Sequence, residues 1–260
     1  MSAETSRDRE SQLRAEARSL VERGELAAAE VLYLECESIG RQLDDAEMRD
    51  LAICNRGSVK VSMGAGDEAV PQLRMVLLST RSESNAFLAA YTVARFYELK
   101  KEFKKSLFYA RIALERGERL GNSDWVAGSR NQMGNALLAT NAIGEAVASY
   151  EAALRQLAPD SLWSGNLLIN LGYCDVLAGR IERGALRLAK AVRIARRYGS
   201  QIDEAQARLD LAFAYLEKGS ISRARNHADR GLAIARRLEW PDGIKNALYL
   251  AGEAARLDGA

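Results

Sequence analysis

The sequence predicts an all-α protein built as a solenoid of repeated helical pairs. Three observations lead there. The chain of 260 residues has only three prolines, while the strong helix formers Ala, Leu, Arg and Glu are abundant. A small residue recurs at Ala29, Ala69, Ser106, Ala146, Gly184 and Ala224, at intervals of 40, 37, 40, 38 and 40. Five places before each stands a turn residue: Gly24, Gly64, Lys101, Asn141, Gly179 and Gly219.

Each unit then reads as helix, tight turn, helix. Gly and Asn are the residues that best tolerate the left-handed conformation ending a helix. Lys101 is the exception, and must end its helix differently or bear strain. Seven residues beyond each small residue comes another small or slim one: Cys36, Val76, Ala113, Ala153, Ala191 and Gly231. Small side chains at that spacing let two helices approach closely.

Taken in order, the first unit is "AEARSLVERGELAAAEVLY", with Ala17 where later units have Gly. The second contains "CNRGSVKVSMG", and the third "VARFYELKKEF", with Ala94 in that place. The fourth joins "NQMGNAL" to "AVASY", the fifth "NLGYCDVLAG" to "GALRL", and the sixth "DLAFAYLEKG" to "ARNHA". This pattern resembles the tetratricopeptide repeat (TPR), W-x2-L-G-x2-Y followed by A-x3-F. Units longer than the usual 34 residues resemble those of kinesin light chains and bacterial peptide-sensing regulators. The resemblance implies a right-handed α-solenoid of six TPR-like repeats over residues 10–243. A disordered segment is expected at 1–9, and a capping helix and tail at 244–260.

Local departures set further expectations. Asp175 stands where the pattern has Tyr, and Gly66 where most units carry a large apolar residue, so both junctions should pack less well. "GNSDW" and "APDSLW" each offer a Ser or Asp N-cap before Trp, and Trp125 and Trp163 are expected to staple their junctions. Pro241 begins a connection to a lone last helix, "GIKNALYLAGEAARL", with Glu253 and Arg256 on its exposed side.

Composition narrows the function classes. No apolar run reaches the 18 residues of a membrane span, and "MSAETSRDRE" lacks the apolar core of a signal peptide. Cys36, Cys54 and Cys174 are unevenly spaced and form no CxxC pair, which suggests a reducing, cytoplasmic setting. Cys36 and Cys174 read as buried small residues, while Cys54 is placed facing the groove. Residues 1–70 hold 9 Lys/Arg against 15 Asp/Glu, and residues 165–240 hold 14 against 8, a polarity able to orient a partner or a second copy.

Catalytic patterns are missing. The single histidine, His227, sits among Arg and Asp and reads as a surface or junction residue. No metal-ligand spacing, phosphate loop, GxSxG elbow or dinucleotide fingerprint appears. No enzyme, cofactor or metal is expected. The basic runs "KKEFKK", "RLAKAVRIARR" and "SRARNHADRGLAIARR" lack aromatic stacking partners and are interrupted by acids, which argues for solvated helix faces over nucleic-acid binding.

The binding candidates lie on first helices. In "SRNQMGNALLATNAIGEAVASYEAAL", Asn131 and Asn135 are four apart and share a face about 140° from the ridge of Met133 and Leu137. Asn costs a helix interior roughly 0.5–0.7 kcal/mol relative to Ala, so its presence calls for a reason. Asn166 and Asn170 show the same spacing one unit later, with Tyr173 along nearly the same ridge; Asn55, Tyr91, Arg95 and Asn246 occupy comparable places. The resemblance places first helices on a concave surface that holds a peptide. An Asn amide pairs with a peptide group through both donor and acceptor, Tyr adds an apolar body with a polar tip, and Arg95 suits a carboxylate. The alternative use of these amides, bonding neighbouring helices or water, stays open.

The expected function is a non-enzymatic adaptor or scaffold that holds a segment of another protein. Alternatives are a regulator that senses a short signalling peptide, and a self-assembling module. No membrane partner is expected.

Overall fold

The computed structural model describes residues 3–258, all of whose regular elements are helices. They are α1 (Ala3–Glu22), α2 (Leu26–Gln42), α3 (Ala46–Ser62), α4 (Gly66–Ser79), α5 (Glu83–Leu99), α6 (Phe103–Arg119) and α7 (Ser123–Ala139). After these come α8 (Ile143–Leu154), α9 (Leu162–Leu177), α10 (Ile181–Tyr198), α11 (Gln201–Glu217), α12 (Ile221–Arg237) and α13 (Pro241–Asp258). The chain divides into two compact units, one ending at Thr140 and one beginning at Asn141. The first therefore holds α1–α7, the second α8–α13.

The turns follow directly from sequence. Gly24, Gly64, Gly179 and Gly219 all have positive φ, and so do Lys101 (59°) and Asn141 (63°). Lys101 thus bears the left-handed strain itself. The amide after the turn residue donates to the carbonyl five residues back in Glu25, Ala65, Glu102, Arg180 and Ser220, at 2.8–2.9 Å, closing a Schellman-type end. A second set of left-handed residues, Asp44, Gly121, Gly199 and Glu239, ends even-numbered helices in the same way.

The recurring small residues are the close-packing line of the even helices. Ala29, Ser106, Ala146, Cys36, Ala113 and Ala153 are wholly inaccessible, and Gly184 and Gly231 are buried. At Gly184 a β-carbon would stand 2.7 Å from the Gly172 carbonyl oxygen, so α9 and α10 meet backbone to backbone.

In the first unit, Ala17, Leu20, Ala29, Tyr33 and Val59 form one core cluster; Cys54, Leu73, Val93 and Phe96 belong to the next; Phe87, Ala90 and Ala113 to a third. In the second unit, Leu168, Leu188, Val192 and Leu211 lead into Leu209, Ala228, Ala247 and Leu250. Each fully buried Leu or Val contributes roughly 1.5–3 kcal/mol.

Several expectations need correction. The segment 1–9 is helical from Ala3, because Glu10, Leu13, Ala17 and Leu20 give α1 one buried stripe. Arg7 and Arg9 also tie it to Asp45 (3.4 Å) and Glu35 (2.6 Å). Met1 and Ser2, like Gly259 and Ala260 of the expected tail, lie outside the described residues. Gly66 leaves no gap, since the Phe96 ring fills its space and would lie 2.4 Å from a β-carbon there.

Asp175 does not loosen its junction. It is fully buried and accepts hydrogen bonds from Arg180 (3.0 Å), Arg183 (2.8 Å) and Arg187 (2.8 Å). Burial alone would raise its pKa, but Arg183, Arg180 and Arg187 hold the carboxyl below its ordinary value.

Trp125 stacks on Phe87 at 4.1 Å and fulfils its stapling role, whereas Trp163 is 52% exposed and does not. The caps are Asn122, one residue ahead of the expected Ser, and Ser161. Pro241 opens α13 itself, at the first helical position, where its missing N–H costs nothing.

Candidate functional site

In the first unit, Tyr91 projects from α5 and stacks at 5.5 Å on Phe87, the ring that also meets Trp125. Burial pushes the Tyr91 hydroxyl above its usual range. Arg95, one turn further, is exposed. Asn135 of α7 donates to Glu98 of α5 at 2.8 Å. Burial raises the Glu98 carboxyl, opposed by that bond and by the Arg95 charge. Gln132, between the two asparagines, is buried and donates to the Tyr91 carbonyl at 3.2 Å. Asn55 is half-buried on α3.

In the second unit, Asn166 of α9 donates to Asp203 of α11 at 3.4 Å. The Tyr173 ring lies 5.9 Å from Phe213. Gln206 donates to Asp210 at 2.9 Å, both on α11. Asp210 also bears on Tyr173 electrostatically, and both it and burial raise the tyrosine's pKa. Asn246 is exposed on α13.

Asn135 and Asn166 thus serve as ties between successive odd helices, which is the alternative left open by sequence. Asn131 and Asn170 are half-buried and likewise already engaged in the fold. The second pair does not repeat the first. Counted back from the turn residue, Asn135 is equivalent to Arg95 and Tyr173, six places before. Nine places before stand Asn55, Thr92, Gln132, Asn170 and Asp210. Gln132, Gln206 and Asp210 were missed because spacing within one helix was used, where the distance to the turn residue was the better guide.

Other candidates resolve differently. Cys54, placed in the groove by sequence, is buried, lies 3.5 Å from the Asn85 carbonyl, and has a thiol pushed up to about 12 by burial and Asp50. Cys36 and Cys174 are buried as expected. His227 is half-buried in the α11–α12 junction, its ring 5.5 Å from Tyr215. Burial, then the Arg208 and Arg230 charges, lower its pKa. Among the described residues no three His, Cys, Asp or Glu side chains cluster as metal ligands, and no helix is long and apolar enough to cross a membrane.

No protein-family model matches the chain, and no curated protein is detectably similar in sequence. Solved structures are similar in fold. A signal transduction ATPase with numerous domains from Pyrococcus horikoshii, with a tetratricopeptide repeat sensor, superposes with a TM-score of 0.70 at 16% identity, over 96% of this chain and 37% of that one. A Rap protein complexed with competence and sporulation factor gives 0.66 at 11%, over 96% and 76%. YrrB, a TPR protein with an unusual peptide-binding site, gives 0.52 at 17%, over 80% and 95%. These likenesses join the 40-residue period and the paired helices to one conclusion: the fold is an all-α repeat solenoid, similar to that of tetratricopeptide repeat proteins.

Proposed function

We propose that this chain is a non-enzymatic, cytoplasmic adaptor that holds an extended segment of another protein along the faces of its odd helices. The observation that carries this reading is the register of polar residues nine places before the turn residue. In the first unit α3, α5 and α7 place Asn55, Thr92 and Gln132 there, and in the second α9 and α11 place Asn170 and Asp210. Packed helices lie about 9 Å apart, and an extended chain advances about 3.3 Å per residue. Within either unit, one polar rung therefore meets roughly every third residue of a bound strand.

The ties found for Asn135 and Asn166 fit this use. A side chain held by one bond to a neighbouring helix loses less freedom when it takes up a ligand, and an amide offers further donor and acceptor sites. Tyr91 and Arg95 in the first unit, and Tyr173 in the second, add apolar area and charge beside the rungs. The peptide-bound Rap protein and the peptide-binding site of YrrB support the reading by analogy of fold.

The test is capture of partners from native lysate by the wild type and two variants. One carries Arg95→Ala with Asn135→Ala, the other Asn166→Ala with Asn170→Ala, each checked for folding by circular dichroism. Loss of a specific partner from either folded variant supports the reading. The same partners on all three proteins would sink it.

A further inference from the structure

Among the described residues five acidic side chains are buried: Glu10, Glu37, Asp50, Asp175 and Asp210. Four have a cation. Glu10 meets Arg14 at 3.2 Å, Glu37 meets Arg56 at 3.0 Å and Arg41 as well, and Asp50 meets Arg49 at 2.9 Å. Asp175 has its three arginines. Asp210, only 9% exposed, has no cation within ion-pair distance among the described residues. Its one hydrogen-bond donor there is the neutral amide of Gln206. Arg208, two residues earlier, turns to the opposite side of α11 and is bound to Glu204 at 2.7 Å.

Leaving a carboxylate so placed is costly, because desolvation disfavours its charge and only the Gln206 amide opposes that. Tyr173 of α9 lies near enough to feel the charge of Asp210, and its ring is 5.9 Å from that of Phe213, one turn along α11 from the acid. Asp210 shares the register position of Asn170. An aromatic pair next to a buried carboxylate suits the apolar stem and charged head of a basic side chain.

We propose that Asp210, next to the Tyr173–Phe213 pair, is the receptor for a lysine or arginine side chain of the bound segment. This rests on the peptide-binding reading above and adds specificity to it: the amide rungs take any backbone, and Asp210 selects the sequence. The missing cation comes from the ligand. A charge-assisted hydrogen bond in so dry a place is strong, so the preference for a basic residue is large.

The experiment presents the full chain with pools of random octapeptides in which one position is fixed as Lys, Arg, norleucine or Glu. Captured peptides are quantified by mass spectrometry at pH 8. The wild type and Asp210→Glu should enrich the Lys and Arg pools about tenfold over norleucine. Asp210→Asn, nearly isosteric, should lose that enrichment and still capture the norleucine pool; Asp210→Ser is the second neutral variant should the first fail to fold. Undiminished enrichment by a folded neutral variant overturns the proposal, and so does peptide capture by the wild type with no basic preference. Those outcomes leave the peptide-binding reading standing. Capture of no pool by the wild type overturns both.

Discussion

Asp175 and Asp210 are both aspartates of odd helices in the second unit, both are buried, and their surroundings are opposite. Asp175, near the end of α9, lies where the chain reverses into α10, and α10 delivers Arg183 and Arg187 to it while Arg180 arrives from the turn. Asp210, in the middle of α11, accepts from an amide and lies near the Tyr173 ring. The carboxyl consequently falls below its ordinary range in one and rises to about 7 in the other. One acid is complete within the fold, and the other is complete only with something added. On the proposal above, the difference separates groups that hold the protein together from groups kept for a partner.

The largest effect should come from breaking the complete site. Asp175→Asn leaves three arginines gathered around a neutral group, and should lower unfolding free energy by about 3 kcal/mol, read by denaturant titration. The opposite sign is expected at the incomplete site. Asp210→Asn should raise stability by about 2 kcal/mol at pH 8 and leave it nearly unchanged at pH 4.

The sign follows from proton binding. With a folded pKa of about 7 against 3.8 for an ordinary Asp, the folded protein binds the extra proton between those values. The stability from this group is full below pH 3.8 and is lost as pH rises through 7. Asp175, depressed in the folded state, contributes stability above its ordinary value that is lost on acidification. Melting temperatures of the wild type and both variants from pH 4 to 8 would show the two slopes. Parallel profiles would refute the contrast.

Smaller effects sharpen it. Arg187→Ala removes bonds to both Asp175 and Glu151 but leaves Asp175 two arginines, so the loss should be about 1 kcal/mol. Asn166→Ala removes only a long bond to Asp203 and should cost less than about 0.5 kcal/mol. A greater loss there would make Asn166 chiefly a structural tie.

Much of this architecture was legible because turn chemistry is local. A residue with positive φ needs no tertiary context to be suspected, and Gly24, Gly64, Asn141, Gly179 and Gly219 marked their turns. Glu239 was not legible, because glutamate does not advertise a left-handed turn, and Asp44 was passed over because it lies between units, outside the turn register used. The same division holds at the candidate faces. Helical spacing brought Asn131 and Asn135 to one face, but which of the polar side chains already had partners depended on Glu98 and Asp203, each 37 residues away in sequence. The helical start of α1 was hidden because its surface is strongly charged. Its buried stripe is only four residues, and the arginines that anchor it find their acids on other helices.

The left-handed turns have a practical consequence for laboratory evolution. Asp44, Lys101, Asn141, Asp160 and Glu239 all carry side chains in a conformation that suits glycine, at roughly 1 kcal/mol each for an ordinary residue. A selection for heat tolerance would find Lys101→Gly and Glu239→Gly early, and would find them without touching either face on which a partner is proposed to bind. Thermostable variants of this chain are thus accessible by a route orthogonal to the proposed recognition chemistry.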